Sequence, residues 1–214
     1  MMVADLAPSF GGKRSTNNLL SAFESYWATL QHHQPGWPQD PTQQYFQREI
    51  THWLTYHESM LIGELVPLAL DYIRRNPASP HAPSFGHVLG DEYQDLNRAD
   101  QELIDALARN GSITVIGDED QSIYTILRHA RPEGIGQFHQ THSNTHDEAL
   151  SQCRRCPVRV LDMANSLIFH NHPQRPSTIQ PSPASGQGDV YVVQHNSIQD
   201  EITTLSAFID QFLT

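Results

Sequence analysis

From Thr42 onward apolar residues recur at helical spacing. Phe46, Ile50, Trp53, Leu54, His57 and Leu61 share one face, and Leu61, Leu65, Leu68, Ala69, Tyr72 and Ile73 continue it. Pro67 predicts two helices or a kink in that stretch. Asn76 to Ser84 holds three prolines and reads as a loop leading to a Val88-Leu89 strand. Ala99 to Arg109 predicts a helix that buries Leu103, Ile104 and Leu107 and closes at Asn110-Gly111. Ile113 to Ile116 is the next expected strand. Pro157 suits the first turn of a helix running to about His170, with Leu161, Ala164, Leu167 and Ile168 as its buried stripe. Asn171 to Gly188 carries four prolines and reads as a surface connection, and Asp189 to Gln194 alternates like a strand. Ser197 is placed to cap a last helix whose apolar face is Leu205, Phe208, Ile209 and Phe212. Residues 1–40 are polar and end in the turn residues Gln34-Pro35-Gly36-Trp37-Pro38, so no regular structure is predicted there. Strand, helix, strand in that order argues for an α/β fold with a parallel sheet.

Composition narrows the picture. With 214 residues there is room for one ordinary domain or two partial ones. An apolar content of 38% is low for a compact chain, and 14 prolines with 12 glycines point to long loops. The net charge of -11 is uneven: residues 91–150 carry twelve acids against four arginines, and residues 151–214 five against four. A free-standing nucleic-acid binder is normally basic, so strong DNA binding by these residues alone is not expected. No run reaches the roughly 20 apolar residues of a membrane span. Met1-Met2-Val3-Ala4-Asp5 lacks the basic start of a signal peptide. Two cysteines three positions apart do not make a secreted disulfide framework, and a cytoplasmic protein is expected.

The chemistry concentrates in two segments. Val88-Leu89-Gly90 ends abruptly in Asp91-Glu92-Tyr93-Gln94-Asp95, and Ile116-Gly117 runs into Asp118-Glu119-Asp120-Gln121-Ser122-Ile123-Tyr124. A nucleoside-triphosphatase needs such carboxylates at the C-terminal end of a buried parallel strand. One holds the water shell of Mg²⁺, and the next orients or deprotonates the attacking water. A single Asp-Glu pair is common and can equally stabilise a helix N-terminus. Two such segments separated by one helix, with Gln-Ser-Ile-Tyr after the second, are specific.

At these residues the chain resembles the UvrD/Rep-like superfamily 1 DNA helicases. Asp91 to Asp95 looks like that family's Walker B motif, and Gly117 to Tyr124 like its third helicase motif. Cys153-Arg154-Arg155-Cys156-Pro157, followed by Met163-Ala164-Asn165-Ser166-Leu167-Ile168, is similar to the fourth motif, which contributes an arginine finger. The resemblance spans residues 45–214 and is strongest over 88–170. It implies ATP and Mg²⁺ as cofactors, single-stranded DNA as partner, the remaining helicase portions as further partners, and a DNA-repair setting. By the same resemblance Asp91 is the Mg²⁺ ligand and Glu92 the general base. Gln121 senses the γ-phosphate, Arg155 is the finger, and these four residues contact the nucleotide. Tyr124 is implied as a stacking surface for a base, and Arg128 as a phosphate contact.

The chain also departs from the family. Tyr124-Thr125-Ile126-Leu127-Arg128-His129-Ala130 is one residue longer than the family pattern and lacks its aromatic, which puts the register of Arg128 in doubt. A phosphate-cradling loop needs Gly, four residues, Gly-Lys, then Ser or Thr. Around Lys13, the one lysine of the chain, Ala7 stands at the first Gly and Arg14 at the Ser or Thr. Nucleotide binding by this chain alone is therefore expected to be weak, and hydrolysis negligible.

The implied fold is a partial RecA-like parallel sheet of the P-loop NTPase type with flanking helices and a helical N-terminal region. Its expected parts are an irregular segment over 1–41, a helical region over 42–86, the second half of a first motor domain over 87–148, and the start of a second over 149–214. Two other classes fit the residues. One is a non-catalytic interaction module derived from a helicase. The other is a small zinc domain using Cys153, Cys156, His139, His142 and His146, whose spacing matches no established finger.

Overall fold

Leu19, Leu20, Phe23 and Trp27 stand one to four residues apart, a spacing that puts them on one side of a helix. A computed structural model of the chain describes residues 1–125, 129–171 and 179–213, with side chains omitted at 212 and 213. In it these residues lie on α2 (Lys13–Ala28), which follows α1 (Met2–Leu6) and a 3₁₀ turn, Ala7–Phe10. The expectation of an irregular segment over 1–41 is corrected accordingly. α2 is rich in Ser, Thr and Asn, so its polar residues hide a helix that packing, rather than propensity, maintains. The Gln34–Pro38 stretch is a turn, with Gly36 at φ 79°.

α3 (Pro41–Tyr56) starts where the sequence places it. Asp40 accepts the Gln43 N–H at 2.9 Å, and Pro41 occupies the first turn, where no N–H is needed. Its stripe of Phe46, Ile50 and Leu54 meets Leu6, Phe10, Phe23 and Trp27 in one core. Phe23 and Phe46 are fully buried, edge to face at 5.3 Å between ring centroids. Each such ring contributes about 2–3 kcal/mol through burial.

The break between helices falls at 57–61 instead of Pro67. Glu58 takes φ 47° there, and α4 (Ile62–Arg75) runs through Pro67. The buried side of α4 is also rotated from the expected one: Leu70 and Ile73 are buried and Val66 packs beside Leu70, while Leu65 and Leu68 are about half exposed. Leu30, Leu70 and Ala99 form a second cluster, with Leu103 and Ala106 packed on it. That cluster joins α4 to α5 (Arg98–Leu107), whose Asn97 cap and Asp100 form a reciprocal capping box. Leu103, Ile104 and Leu107 are half-buried rather than fully covered.

β1 (His87–Gly90) pairs in parallel with β2 (Ser112–Val115), Gly90 opposite Val115. The strands are less enclosed than an apolar run suggests. Leu89 is 68% exposed and Ile116 50%, because among the described residues this sheet has two strands and one of its faces is open. Two short helices, α6 (Glu133–Gly136) and α7 (Phe138–Thr141), complete the first of two compact units, Met1–His146.

The second unit, Asp147–Thr214, holds a two-residue parallel pair, β3 (Gln152–Cys153) and β4 (Gln180–Pro181), with α8 (Val158–Asn171) between them. Leu161 is buried on α8, but Ala164 and Leu167 are exposed, so most of the expected stripe is uncovered. Residues 189–194 form no strand, and Val192 is 90% exposed; alternation without a neighbouring edge does not make a strand. α9 (Ile198–Leu213) begins as expected, with the Asp200 N–H donated to Ser197 Oγ at 3.2 Å. The fold is thus mixed α/β with two small parallel sheets.

Candidate functional site

The parallel pairing of β1 and β2 brings both acidic segments to one end of a sheet, where open α/β folds collect ligand groups. Beyond Gly90 the ladder continues as two crossed bonds, Ile116 N–H to Gly90 O at 2.8 Å and Tyr93 N–H to Ile116 O at 2.9 Å. Between them the chain turns sharply. Glu92 sits in the left-handed region (φ 50°, ψ 42°), a conformation costing a non-glycine residue roughly 1 kcal/mol, and its N–H is donated to Asp91 Oδ1 at 3.0 Å. The turn leaves Asp91 and Glu92 exposed while Tyr93 and Gln94 go inward.

Gln94 is the residue to which the sequence reading assigned no role. Its amide is buried and spans the two segments. Nε2 donates to Glu92 Oε2 at 2.8 Å, and Oε1 accepts the Asp118 N–H at 3.1 Å. Asp118 Oδ2 in turn accepts from Gln121 Nε2 at 2.9 Å, and Asp118 Oδ1 from the Asp120 N–H at 3.1 Å. A hydrogen-bonded path therefore runs Glu92, Gln94, Asp118, Gln121. Gly117 makes it possible, since a Cβ there would collide with Gln94 Oε1. The signal was present in the sequence as a Gln inside an acidic motif, a residue able to donate and accept at once.

Tyr124 is half-buried, and Arg128 lies outside the described residues. Gln101, also buried, ties the next segment down by donating to Arg131 O at 3.0 Å. Tyr93 is the strongly perturbed acid here. Burial raises its hydroxyl to about 12, Asp105 adds to that, and Arg131 opposes it. A polar cleft of about 820 Å³ opens nearby, with Arg74, Arg98, Asp105 and His142 among its walls. Arg74 and Arg98 are paired with Glu102, His142 Nε2 lies 3.0 Å from Asp105 Oδ1, and Asp91, Glu92, Asp118 and Gln121 are not among the cleft's walls.

Lys13 stands exposed at the first turn of α2. The preceding backbone does not form an open phosphate cradle. It coils as a 3₁₀ turn, Gly12 donates its N–H to Ala7 O at 2.8 Å, and Ala7 and Phe10 are buried in the core.

In the second unit Arg154 and Arg155 are both exposed, at the turn from β3 into α8. They wall a cavity of about 260 Å³ with Cys156, Pro157, Ser182 and Ser185. The first unit by itself assembles Asp91, Glu92, Asp118 and Gln121; Arg155 belongs to the second. Among the described residues no three His, Cys, Asp or Glu side chains converge on a metal-sized site, so the zinc alternative has no centre there. His142 is instead stacked on Phe138 at 3.9 Å, with Nε2 3.0 Å from Asp105. Among the described residues no helix is long and apolar enough to cross a membrane.

Comparison with known proteins defines the class. The model of the UvrD/REP helicase N-terminal domain matches residues 15–143, more than half of the 214. The chain belongs to the UvrD/REP helicase family. The match begins at 15 rather than 45, so it takes in most of α2, and residues 144–214 lie beyond it. The ATP-dependent DNA helicase PcrA of Leuconostoc citreum is 33% identical over 135 residues, 62% of this chain and 18% of that protein. UvrD1 of Mycobacterium bovis is 33% identical over 164 residues, 70% of this chain and 20% of its own length. Rep of Buchnera aphidicola is 41% identical over 86 residues, 40% of this chain and 13% of Rep. The chain thus spans about a fifth of the PcrA and UvrD1 relatives it matches.

Proposed function

We propose that these residues form the central part of an ATP-dependent, superfamily 1 DNA helicase. In this reading residues 87–148 are the second half of a RecA-like motor domain and residues 149–214 the start of the next. ATP with Mg²⁺ would bind with Asp91 on the metal's water shell, Glu92 as general base and Gln121 at the γ-phosphate. Arg155 would stabilise the charge that develops as the phosphoryl group transfers. The intact enzyme would translocate on single-stranded DNA, with Tyr124 stacking on a base and Arg128 on a phosphate. One observation carries the reading: the two acidic segments leave adjacent parallel strands at the same end and are joined through Gln94. That path also suggests how a change at Gln121 reaches the general base without a moving domain between them.

The test uses a full-length helicase carrying these residues. Glu92→Gln keeps the shape and the hydrogen bond from Gln94 but removes the base. Single-turnover hydrolysis should fall by about 10²–10⁴ while ATP affinity stays within about tenfold. Turnover within a few-fold of the parent would sink the assignment of Glu92.

A further inference from the structure

Cys153 and Cys156 flank the two arginines where β3 turns into α8. Both are free and half-buried. The Cys156 N–H is donated to Cys153 Sγ at 3.4 Å, which holds the backbone of the second cysteine against the first thiol. The Cys153 thiol lies below its ordinary range. The chief cause is the Cys156 N–H, followed by the Arg155 N–H, while partial desolvation opposes and the Arg155 charge adds a little. The helix end is not the source, because the N–H groups of Val158 and Arg159 are taken by Gly186 O at 3.0 Å and Gln187 O at 3.1 Å. A thiol stabilised as thiolate is the reactive form in exchange with disulfides. The cavity of about 260 Å³ that Cys156 lines has Arg154 and Arg155 in its wall, which favours a reagent bearing carboxylates.

We propose that Cys153 and Cys156 form a thiol–disulfide exchange site for small anionic disulfides. The Cys153 thiolate attacks one sulfur of the reagent. Its S–S bond breaks, and the distal half leaves as a thiolate. Cys156, its proton given to solvent, then attacks Cys153 Sγ and expels the second half. One disulfide is reduced to two thiols while the cysteine pair is oxidised to a ring closed across Arg154-Arg155. The site shares Arg155 with the nucleotide reading, but the exchange itself needs no ATP.

The experiment incubates the full 214-residue chain with glutathione disulfide near neutral pH and follows intact mass. The parent should lose two hydrogens and keep no adduct. Cys156→Ser should retain one glutathione on Cys153, and Cys153→Ser should react at least about tenfold more slowly. Cationic cystamine should react more slowly than glutathione disulfide at low salt, with the gap closing as salt rises. In urea every one of these preferences should vanish, which ties them to the fold. Two glutathiones on the parent, or equal rates for the two serine variants, would overturn the paired site. Cystamine as fast as glutathione disulfide at low salt would overturn its preference for anions.

Discussion

Helices α3 and α9 are both 16 residues long and both amphipathic, yet they use their apolar faces differently. α3 buries Phe46, Ile50 and Leu54 against Phe10, Phe23 and Trp27. α9 leaves Leu205, Phe208 and Ile209 about half exposed. Period alone therefore reports which residues share a face, and only a partner decides whether that face is core. The same contrast separates the two candidate catalytic segments. The carboxylates of the first unit rest on a paired sheet and a buried amide. The arginines of the second stand exposed in the turn after a two-residue strand.

The strongest way to probe that contrast is at the less supported end. In a full-length helicase with these residues, Arg155→Ala should cut ATP turnover by orders of magnitude and leave ATP and DNA affinity within about tenfold, because a finger acts on charge present mainly in the transition state. Arg154→Ala should be much milder. Single-turnover hydrolysis beside nucleotide and DNA titrations reads both, and equal small losses would mark the pair as solvated surface arginines.

Packing comes next. Phe46→Ala should cost about 3–5 kcal/mol in denaturant unfolding of this chain, whereas Leu205→Ala should change stability by less than about 1 kcal/mol. Similar losses for the two would show that the α9 face is covered in solution.

Acid sensitivity is a smaller effect, confined to the first unit. Burial pushes the Glu102 carboxyl up, but its bonds to Arg74 and Arg98 outweigh that and hold it below its ordinary 4.5. A depressed acid stabilises the fold fully above its unfolded value, and that contribution is lost as pH falls below about 4.5. Glu102→Gln should therefore flatten the acid side of the stability profile measured by urea melts. An unchanged slope would mean that these pairs contribute nothing measurable, as many exposed ones do.

The smallest expected effect is none. Hydrolysis by the chain alone should stay at background with or without single-stranded DNA, and Lys13→Ala should not alter it. Turnover that depends on Lys13 would mean that the coiled Ala7–Phe10 turn opens into a phosphate cradle.

Much of this was legible in the chain. Ser197 marked a helix start because capping is local chemistry, read from a few adjacent residues, whereas α3 was legible from its period alone, from Thr42. The two strands and the helix between them followed from apolar runs and breakers. α2 was missed because its buried residues are spaced among Ser, Thr and Asn, and their partners on α3 lie more than twenty positions away. Residues 189–194 differ for the opposite reason: their alternation is clear, but among the described residues no strand pairs with them. At the site, the motifs named the acids and Gln121, whereas Gln94 was invisible as a link until the strand pairing placed residue 118 beside it.

Gln94 and Gly117 illustrate what such a link means for variation. A side chain at 117 would occupy the space of the Gln94 carboxamide oxygen. Gly117→Ala alone should thus expel the amide and leave the Asp118 N–H without its acceptor, at about 1–3 kcal/mol. Combined with a shorter residue at 94, the same substitution should lose most of its steric penalty. Two positions 23 apart in sequence behave as a single coupled locus, in which the tolerance of one is set by the occupant of the other.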